Sequence, residues 1–228
     1  MVAAATTVPV RNGRFQIELH KEGNGPALVY LHGSGGLQGW PEYLRRLAER
    51  FTVYAPLHPG WGQSTGLEQL DDDIRDLAFF YLDFLDAAGI ERAHLVGHSL
   101  GGMLAAEIAA MDRSYVDRLV LVDAAGLWLD EAPIPDFFVM TPGQLAKALY
   151  HDPERIAAQQ AATHPASEEA AGEMLLQRYQ SLAAAGKFLW PIPDQGTNKR
   201  LHRIIAPTLI LWGASDRLAP PVYAEAFQ

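Results

Sequence analysis

The chain has 228 residues, 49% of them hydrophobic, and a formal net charge of −9. A chain of this length and composition buries one large core, so we expect a single domain with an insertion. The acidic balance and the lack of a basic run argue against a nucleic-acid partner. There is no cysteine, which excludes disulfides and cysteine metal sites and fits a cytoplasmic location.

The N-terminal segment is not typical of a targeting sequence. Residues 1–9 have no basic region and no sustained apolar core, so they do not predict a signal peptide. No stretch of the chain has the length and apolarity of a membrane span. We therefore expect no membrane partner.

The first part of the chain alternates strands with helices. The patterns predict strands at 15–19, 28–31 and 51–55 and helices at 41–50 and 71–89. Three acidic residues, Asp71 to Asp73, open the second helix, where negative charge suits the helix dipole; a metal site is the minor alternative. This alternation indicates a mostly parallel α/β sheet with helices on both faces.

The most informative motif is Gly97-His98-Ser99-Leu100-Gly101, between a strand predicted at 93–96 and a helix predicted at 102–110. A G-x-S-x-G pentapeptide in this context is typical of a nucleophile elbow. The two glycines let strand and helix approach closely around a strained turn. The turn presents the Ser99 hydroxyl and places the Leu100 N–H at a helix start, where it faces a developing oxyanion. The alternative is an ordinary helix cap.

A second motif, His32-Gly33-Ser34-Gly35-Gly36, follows the buried strand that ends at Leu31. Glycines suit a loop that directs bare backbone N–H groups at a substrate. A phosphate-binding loop is the alternative, but the G-K-[ST] ending of a P-loop is missing. Together, the two motifs resemble those of the α/β-hydrolase superfamily.

The resemblance implies roles for several residues and no metal or organic cofactor. The Ser34 N–H pairs with the Leu100 N–H as the oxyanion hole, and Gly35 replaces Ser34 if the loop register differs. His32 supports this loop structurally instead of acting as a base. His58 precedes a turn like the family's P-G-x-G-x-S turn, at a position where many relatives carry Asp, and receives no catalytic role.

After a strand predicted at 116–123, strand patterning stops and residues 124–203 show helical signals. Three helix starts are indicated, at Thr141-Pro142, Asp152-Pro153 and Ser167. The resemblance implies a helical lid inserted after the sixth core strand. The core domain is then formed by residues 1–123 and, incompletely, by residues 204–228.

A strand predicted at 208–212 leads into Gly213 and, three residues later, Asp216. This segment resembles the family's G-x-x-D segment, which implies that Asp216 is the acid of a Ser-His-Asp triad. The order of Ser99 before Asp216 agrees with that family. Asp123, at the end of the preceding strand, is the rival acid.

The triad histidine is expected after Asp216, and the sequence has none there. The eight histidines end at His202, and the chain ends at Gln228. The last strand and helix of the family's sheet are also missing. We therefore expect a truncated hydrolase, or part of a longer one, that is not a competent triad enzyme alone. An unpaired sheet edge would favour association, which leaves a homo-oligomer open.

The expected function is that of a serine hydrolase acting on a small-molecule carboxylic ester. Ser99 attacks the acyl carbon, the Ser34 and Leu100 N–H groups hold the oxyanion, and Asp216 orients the absent histidine. One alternative is hydrolysis of carbon–carbon bonds in ring-cleavage products, which uses the same triad. Another is a non-catalytic, ligand-binding member of the superfamily.

Overall fold

The computed structural model describes residues 4–162, 167–192 and 194–228. These residues form one sheet with the strand order β1-β2-β4-β3-β5-β6-β7. The strands are β1 (Ala4–Val10), β2 (Phe15–Glu22), β3 (Ala27–Leu31), β4 (Thr52–Pro56), β5 (Ala93–His98), β6 (Val116–Val122) and β7 (Thr208–Leu211). The pairs β1–β2 and β2–β4 are antiparallel and the others parallel, which confirms the predicted fold class.

The helices begin close to the predicted starts. They are α1 (Glu42–Ala48), α2 (Ile74–Ala87), α3 (Leu100–Met111), α4 (Pro142–Leu149), α5 (Pro153–Ala162), α6 (Glu168–Leu189) and α7 (Val222–Ala226). Thr141 and Gln144 form a reciprocal capping box at α4, and the Asp73 carboxylate caps α2. The cap of α2 gives a local reason for the acidic run before it.

Helices cover both faces of the sheet. On one face, Leu44 of α1 packs with Leu28 of β3 and Val53 of β4 in a small cluster. On the other face, α3 packs on the central strands and α2 packs on α3 and the edge strand β1 in the main core, where Phe80 and Met103 are fully buried. The central strands are therefore apolar on both faces, as parallel strands between two helical layers must be.

Strand β1 is the element that the sequence patterns did not predict. It pairs only with β2, at the sheet edge, and several of its side chains are exposed. Its Ala and Thr residues give no clear alternation, and Pro9 is tolerated because the strand lies at an edge. Residues 1–3, part of the segment considered above for a targeting signal, lie outside the described residues.

Between β6 and β7, the described residues form helices, 3₁₀ turns and loops, and none of them joins the sheet. Helix α6 continues to Leu189. Parts of the predicted lid, residues 163–166 with His164 and residue 193, lie outside the described residues. In the ranges given above, none of the helices combines the length and apolarity needed to cross a membrane.

Candidate active site

Ser99 occupies a strained turn between β5 and α3. Its φ is 53° and its ψ is −115°, a left-handed conformation that L-residues other than glycine rarely adopt. The backbone holds it there: the Ser99 N–H donates to Val122 O at 3.0 Å, and Ser99 O accepts from Ala125 N at 3.0 Å. The Ser99 side chain makes no capping hydrogen bond to α3, so its hydroxyl is not used as an ordinary cap.

The glycines around Ser99 are required by close backbone approach. A Cβ at Gly97 would lie 2.1 Å from the Gly101 carbonyl oxygen, and a Cβ at Gly101 would lie 2.0 Å from the Leu31 carbonyl oxygen. Real Cβ atoms do not come so close to backbone oxygens. The G-x-S-x-G spacing therefore follows from the packing of α3 against β3 and β5.

The Gly33–Gly36 loop lies against the serine. A Cβ at Gly33 would lie 3.2 Å from the Ser99 Cβ, so the loop backbone passes directly beside Ser99. Trp61 Nε1 donates to Ser34 O at 3.1 Å and holds the loop in place. Within the described ranges, the backbone N–H groups of Ser34, Gly35 and Leu100 have no protein acceptor. The N–H groups of Ser34 and Leu100 are the predicted oxyanion donors.

Two carboxylates follow β6 and β7 at the same edge of the sheet. Asp216 Oδ1 accepts from the backbone N–H groups of Leu218 at 2.8 Å and Ala219 at 3.0 Å. Asp123 has a φ of 43°, and its Oδ1 accepts from Gly213 N at 2.7 Å. The predicted acid and its rival are thus neighbours. Burial, and to a smaller degree the Asp123 charge, raises the pKa of Asp216, while its two N–H donors oppose that shift.

Both ring nitrogens of His32 form hydrogen bonds to backbone groups. Its Nδ1 donates to Gly33 O at 2.8 Å, and its Nε2 accepts from His58 N at 3.0 Å. His58 in turn bonds His32 O through Nε2 and the Tyr81 hydroxyl through Nδ1. Burial lowers the pKa of His58 to about 4 and that of His32 well below its ordinary value, so both rings are neutral. These contacts suit loop support and leave no ring nitrogen for proton transfer.

His98 is exposed to the cavity beside Ser99, yet the surrounding protein lowers its pKa through desolvation, against a smaller opposite effect of Asp123. A Cβ at Gly33 would lie 3.0 Å from its Nδ1, which places the ring next to the glycine loop. Among the described histidines, none hydrogen-bonds to Asp216.

A cavity of about 980 Å³ connects these groups. This volume is at the upper end of the usual range for small-molecule sites, roughly 300–1,000 Å³. Ser34, Ser99, Asp123 and Asp216 line it, together with residues of α4 and α6. Glu18 and His20 of β2 also line the cavity. Because they belong to no motif, the sequence does not predict them as site residues. Their spacing of two residues places both side chains on one face of the strand.

The chain is similar to known proteins in sequence and in fold. The family model of the alpha/beta hydrolase fold matches residues 26–228. A 2-hydroxy-6-oxononadienedioate/2-hydroxy-6-oxononatrienedioate hydrolase from Paraburkholderia phymatum is 31% identical over 96% of this chain and 81% of its own length. A 2-hydroxy-6-oxo-6-phenylhexa-2,4-dienoate hydrolase from Comamonas testosteroni is 29% identical over 90% of this chain and 77% of its own length.

Among solved structures, an esterase from a Rhodococcus species superposes with a TM-score of 0.72 at 25% identity, over 98% of this chain and 85% of that one. The chain belongs to the α/β hydrolase fold family and is, in its broad class, a hydrolase.

Proposed function

We propose that this protein is a serine hydrolase that cleaves the carbon–carbon bond next to a ketone in ring-cleavage products of aromatic compounds. The observation that carries the proposal is Ser99, held in a left-handed turn at a large cavity beside two unpaired backbone N–H groups. The substrate class is supported by the two relatives described above, whose names give substrates with a ketone at carbon 6.

In the proposed reaction, the Ser99 hydroxyl adds to the ketone carbon, and the carbonyl electrons move to its oxygen. The N–H groups of Ser34 and Leu100 stabilise that oxyanion. When the carbonyl re-forms, the adjacent carbon–carbon bond breaks, and the departing carbon takes up one proton, which balances the proton that the Ser99 hydroxyl lost on attack. Water then hydrolyses the acyl–Ser99 ester, so one water is consumed for one carboxylic acid and one shorter product.

The proposal keeps Asp216 as the acid that orients a histidine. Its Oδ1 is fixed by two N–H donors, whereas Oδ2 has no partner among the described residues. Asp123 Oδ1 instead braces the Gly213 loop. No general base is assigned, because the donors to Asp216 in the described ranges are backbone N–H groups. Separate exchange of Asp216 and Asp123 for Asn distinguishes them, since only the triad acid should be needed for turnover.

We infer that residues 124–203 act as a lid and that the segments 1–123 and 204–228 form the core. Support comes from the cavity lining, to which α4 contributes Leu145 and α6 contributes Met174 and Arg178. The pocket then lies between the carboxyl ends of the parallel strands and the helical insertion, where open α/β sheets bind ligands.

Ester hydrolysis, the first expectation from the sequence, is the second candidate. It is favoured by the likeness to the Rhodococcus esterase, and it uses the same nucleophile and oxyanion donors. The two reactions differ in the leaving group, which is a carbon in one and an alkoxide in the other.

The decisive experiment combines labelling with two substrate panels. In protein that carries the triad histidine, a fluorophosphonate probe should label Ser99 and leave the Ser99→Ala variant unlabelled. The rates with a 2-hydroxy-6-oxo dienoate and with p-nitrophenyl esters are then compared. A higher kcat/KM for the dienoate supports the proposal, and the reverse order supports the esterase. Absence of labelling and of turnover would identify a ligand-binding member and contradict both.

A further inference from the structure

Glu18 and His20 form a polar pair in the wall of the cavity. They lie two residues apart on β2, so their side chains point to the same face of the strand. Both line the cavity, and their side chains are only 19% and 14% exposed. The pair is thus part of the space that holds Ser99, although no step of the proposed reaction uses it.

The surrounding backbone fixes the Glu18 carboxylate. Its Oε2 accepts from the Gln63 N–H at 2.8 Å, and its Oε1 lies 2.8 Å from His20 Nε2. Gly62, with φ of 53°, makes room for this arrangement, because a Cβ there would lie 2.7 Å from Glu18 Oε2. A carboxylate in this position keeps the proton on His20 Nε2.

The second ring nitrogen of His20 is therefore available. Nδ1 has no hydrogen-bond partner in the described part of the chain, and in the neutral ring it is a hydrogen-bond acceptor. A bound molecule that fills this end of the cavity can donate a hydrogen bond to it. The pair has the geometry of an oriented imidazole, like the acid–histidine half of a triad, but it lies away from the nucleophile.

The distance from Ser99 follows from the sheet. His20 pairs with Ala55 of β4, and β4 is followed by β3 and then by β5, which ends next to Ser99. Three steps of about 4.8 Å between strands put the β2 backbone about 14 Å from the elbow. A ligand that contacts both ends is thus elongated, with a chain of roughly ten atoms between its carbonyl and its far end.

The charges near the pair decide which group it recognises. Glu18 contributes a carboxyl group, and Gln63, whose backbone N–H donates to it, has a neutral side chain. Among the described lining residues, the one Lys or Arg side chain is Arg178 on α6. A negative carboxylate beside a second carboxylate would be disfavoured, whereas a hydroxyl matches an acceptor nitrogen.

We propose that Glu18 and His20 form a distal subsite that accepts a hydrogen bond from a hydroxyl group on the far end of an elongated substrate. The proposal rests on the proposed function in placing the substrate carbonyl at Ser99. It adds a substrate class, namely compounds whose acyl chain ends in a hydroxyl group. It also names the residue pair that selects them.

The test uses matched pairs of ligands that are not cleaved. Methyl ketones of about eight to twelve carbons, with and without a terminal hydroxyl, are titrated into the protein by calorimetry. Wild type should bind the hydroxy ketone about two- to tenfold tighter than the plain ketone, with a maximum at one chain length, since one net hydrogen bond is gained. Turnover is not needed, so this result is separate from the success of the proposed function.

Substitutions at His20 test whether this binding preference depends on the Glu18–His20 pair. His20→Leu should abolish the preference for the hydroxy ketone, and His20→Asn should restore part of it, because the Asn amide lies near the position of Nδ1. His202→Leu is the matched control, since His202 is exposed and does not line the cavity. Thermal unfolding verifies that each variant is folded.

A second measurement works on wild-type protein alone. The ¹⁵N chemical shift of His20 Nδ1 should move with the hydroxy ketone and not with the plain ketone. The proposal is wrong if wild type shows no preference at any chain length, if His20→Leu retains the preference, or if a carboxylate-terminated ketone binds more tightly than the hydroxy ketone. Calorimetry that supports the subsite while Ser99 remains unlabelled would contradict only the proposed function.

Discussion

Ser99 and Ser167 both stand immediately before a helix, and their side chains are used differently. Ser167 has extended φ and ψ angles, and its Oγ accepts from Ala170 N at 3.2 Å, which caps α6. Ser99 has a left-handed φ, and its hydroxyl makes no cap bond to α3. The same residue type stabilises one helix and is withheld from the other, where it faces a cavity.

The helices that follow differ as well. Every residue of α3 from Leu100 to Ala110 is buried, whereas α6 buries only Ala184, Ala185, Phe188 and Leu189 near its C-terminal end. Close packing on all sides keeps the strained turn at Ser99 in place. The partly exposed α6 contributes lining residues and has fewer contacts that would resist substitution. Changes at α3 should therefore cost much more than the same changes at α6.

The largest expected effect comes from the two serines themselves. In protein that also carries the triad histidine, Ser99→Ala should lower kcat by at least about a thousandfold, because the proposed nucleophile is lost, with little change in the free energy of unfolding. Ser167→Ala should leave kcat nearly normal and should lower the free energy of unfolding by about 1 kcal/mol, because the cap of α6 is lost. Steady-state kinetics and urea unfolding on both variants test this contrast. Comparable kcat values in the two variants would refute the assignment of Ser99.

The next effect concerns a buried ion pair between α3 and the segment that precedes β7. Glu107 is fully buried on α3; Arg200 Nε donates to its Oε2 at 2.6 Å, and Thr197 Oγ1 donates to its Oε1 at 2.7 Å. Arg200→Ala leaves the carboxylate without its cation, which should destabilise the protein by about 3–5 kcal/mol.

The matched control for Arg200 is Arg75→Ala, which removes the exposed partner of Asp73 and should cost far less. Urea unfolding of the two variants gives the comparison. Equal losses would mean that the Glu107 carboxylate finds other partners when Arg200 is absent.

A glycine-to-alanine pair compares the two helices directly. Gly101→Ala places a Cβ 2.0 Å from Leu31 O and should destabilise the protein by about 3 kcal/mol or more. Gly172 of α6 has no atom within 4 Å of an added Cβ, so Gly172→Ala should stabilise by up to about 1 kcal/mol through helix propensity. Thermal and urea unfolding measure both. A destabilised Gly172→Ala variant would contradict the open space beside Gly172.

The smallest effect is a pH dependence. The raised pKa of Asp216 means that its protonated form is favoured by folding, so its contribution to stability is present below its ordinary pKa and is lost as pH rises through the raised value. Asp216→Asn should therefore be more stable than wild type at neutral pH, and the difference should vanish in acid. Unfolding free energies from about pH 3 to pH 7 test this sign.

The pKa of Asp73 is shifted in the opposite direction to that of Asp216. The side-chain hydrogen bond from Arg75 is the largest cause of its lowered pKa, so its contribution is present above the ordinary pKa and is lost as pH falls through the lowered value. Asp73→Asn should be less stable than wild type at neutral pH, with a difference that narrows in acid. The same direction of change in both variants would contradict the assignment of burial as the main influence on Asp216.

Several features of the site could be predicted because their causes are local. The G-x-S-x-G pentapeptide contains both the serine and the glycines that its turn requires, and the capping box at Thr141 lies within four residues. Strand β1 could not be predicted, because an edge strand has one neighbour and needs little alternation. The proposed subsite at Glu18 and His20 could not be predicted either, because the position of the Glu18 carboxylate depends on a hydrogen bond from the distant Gln63 N–H.

The sequence by itself determined the alternation of strands and helices that follows β1, the family and the position of Ser99, because these depend on periodicity and on sterics within a few residues. Only the tertiary structure decided that Asp123 and Asp216 are neighbours, that both nitrogens of His32 are occupied by backbone groups and that the cavity extends to His20. Those relations join residues that are far apart in the chain. They exist only after the strands pair and the helices between β6 and β7 pack beside them, so no local pattern predicts them.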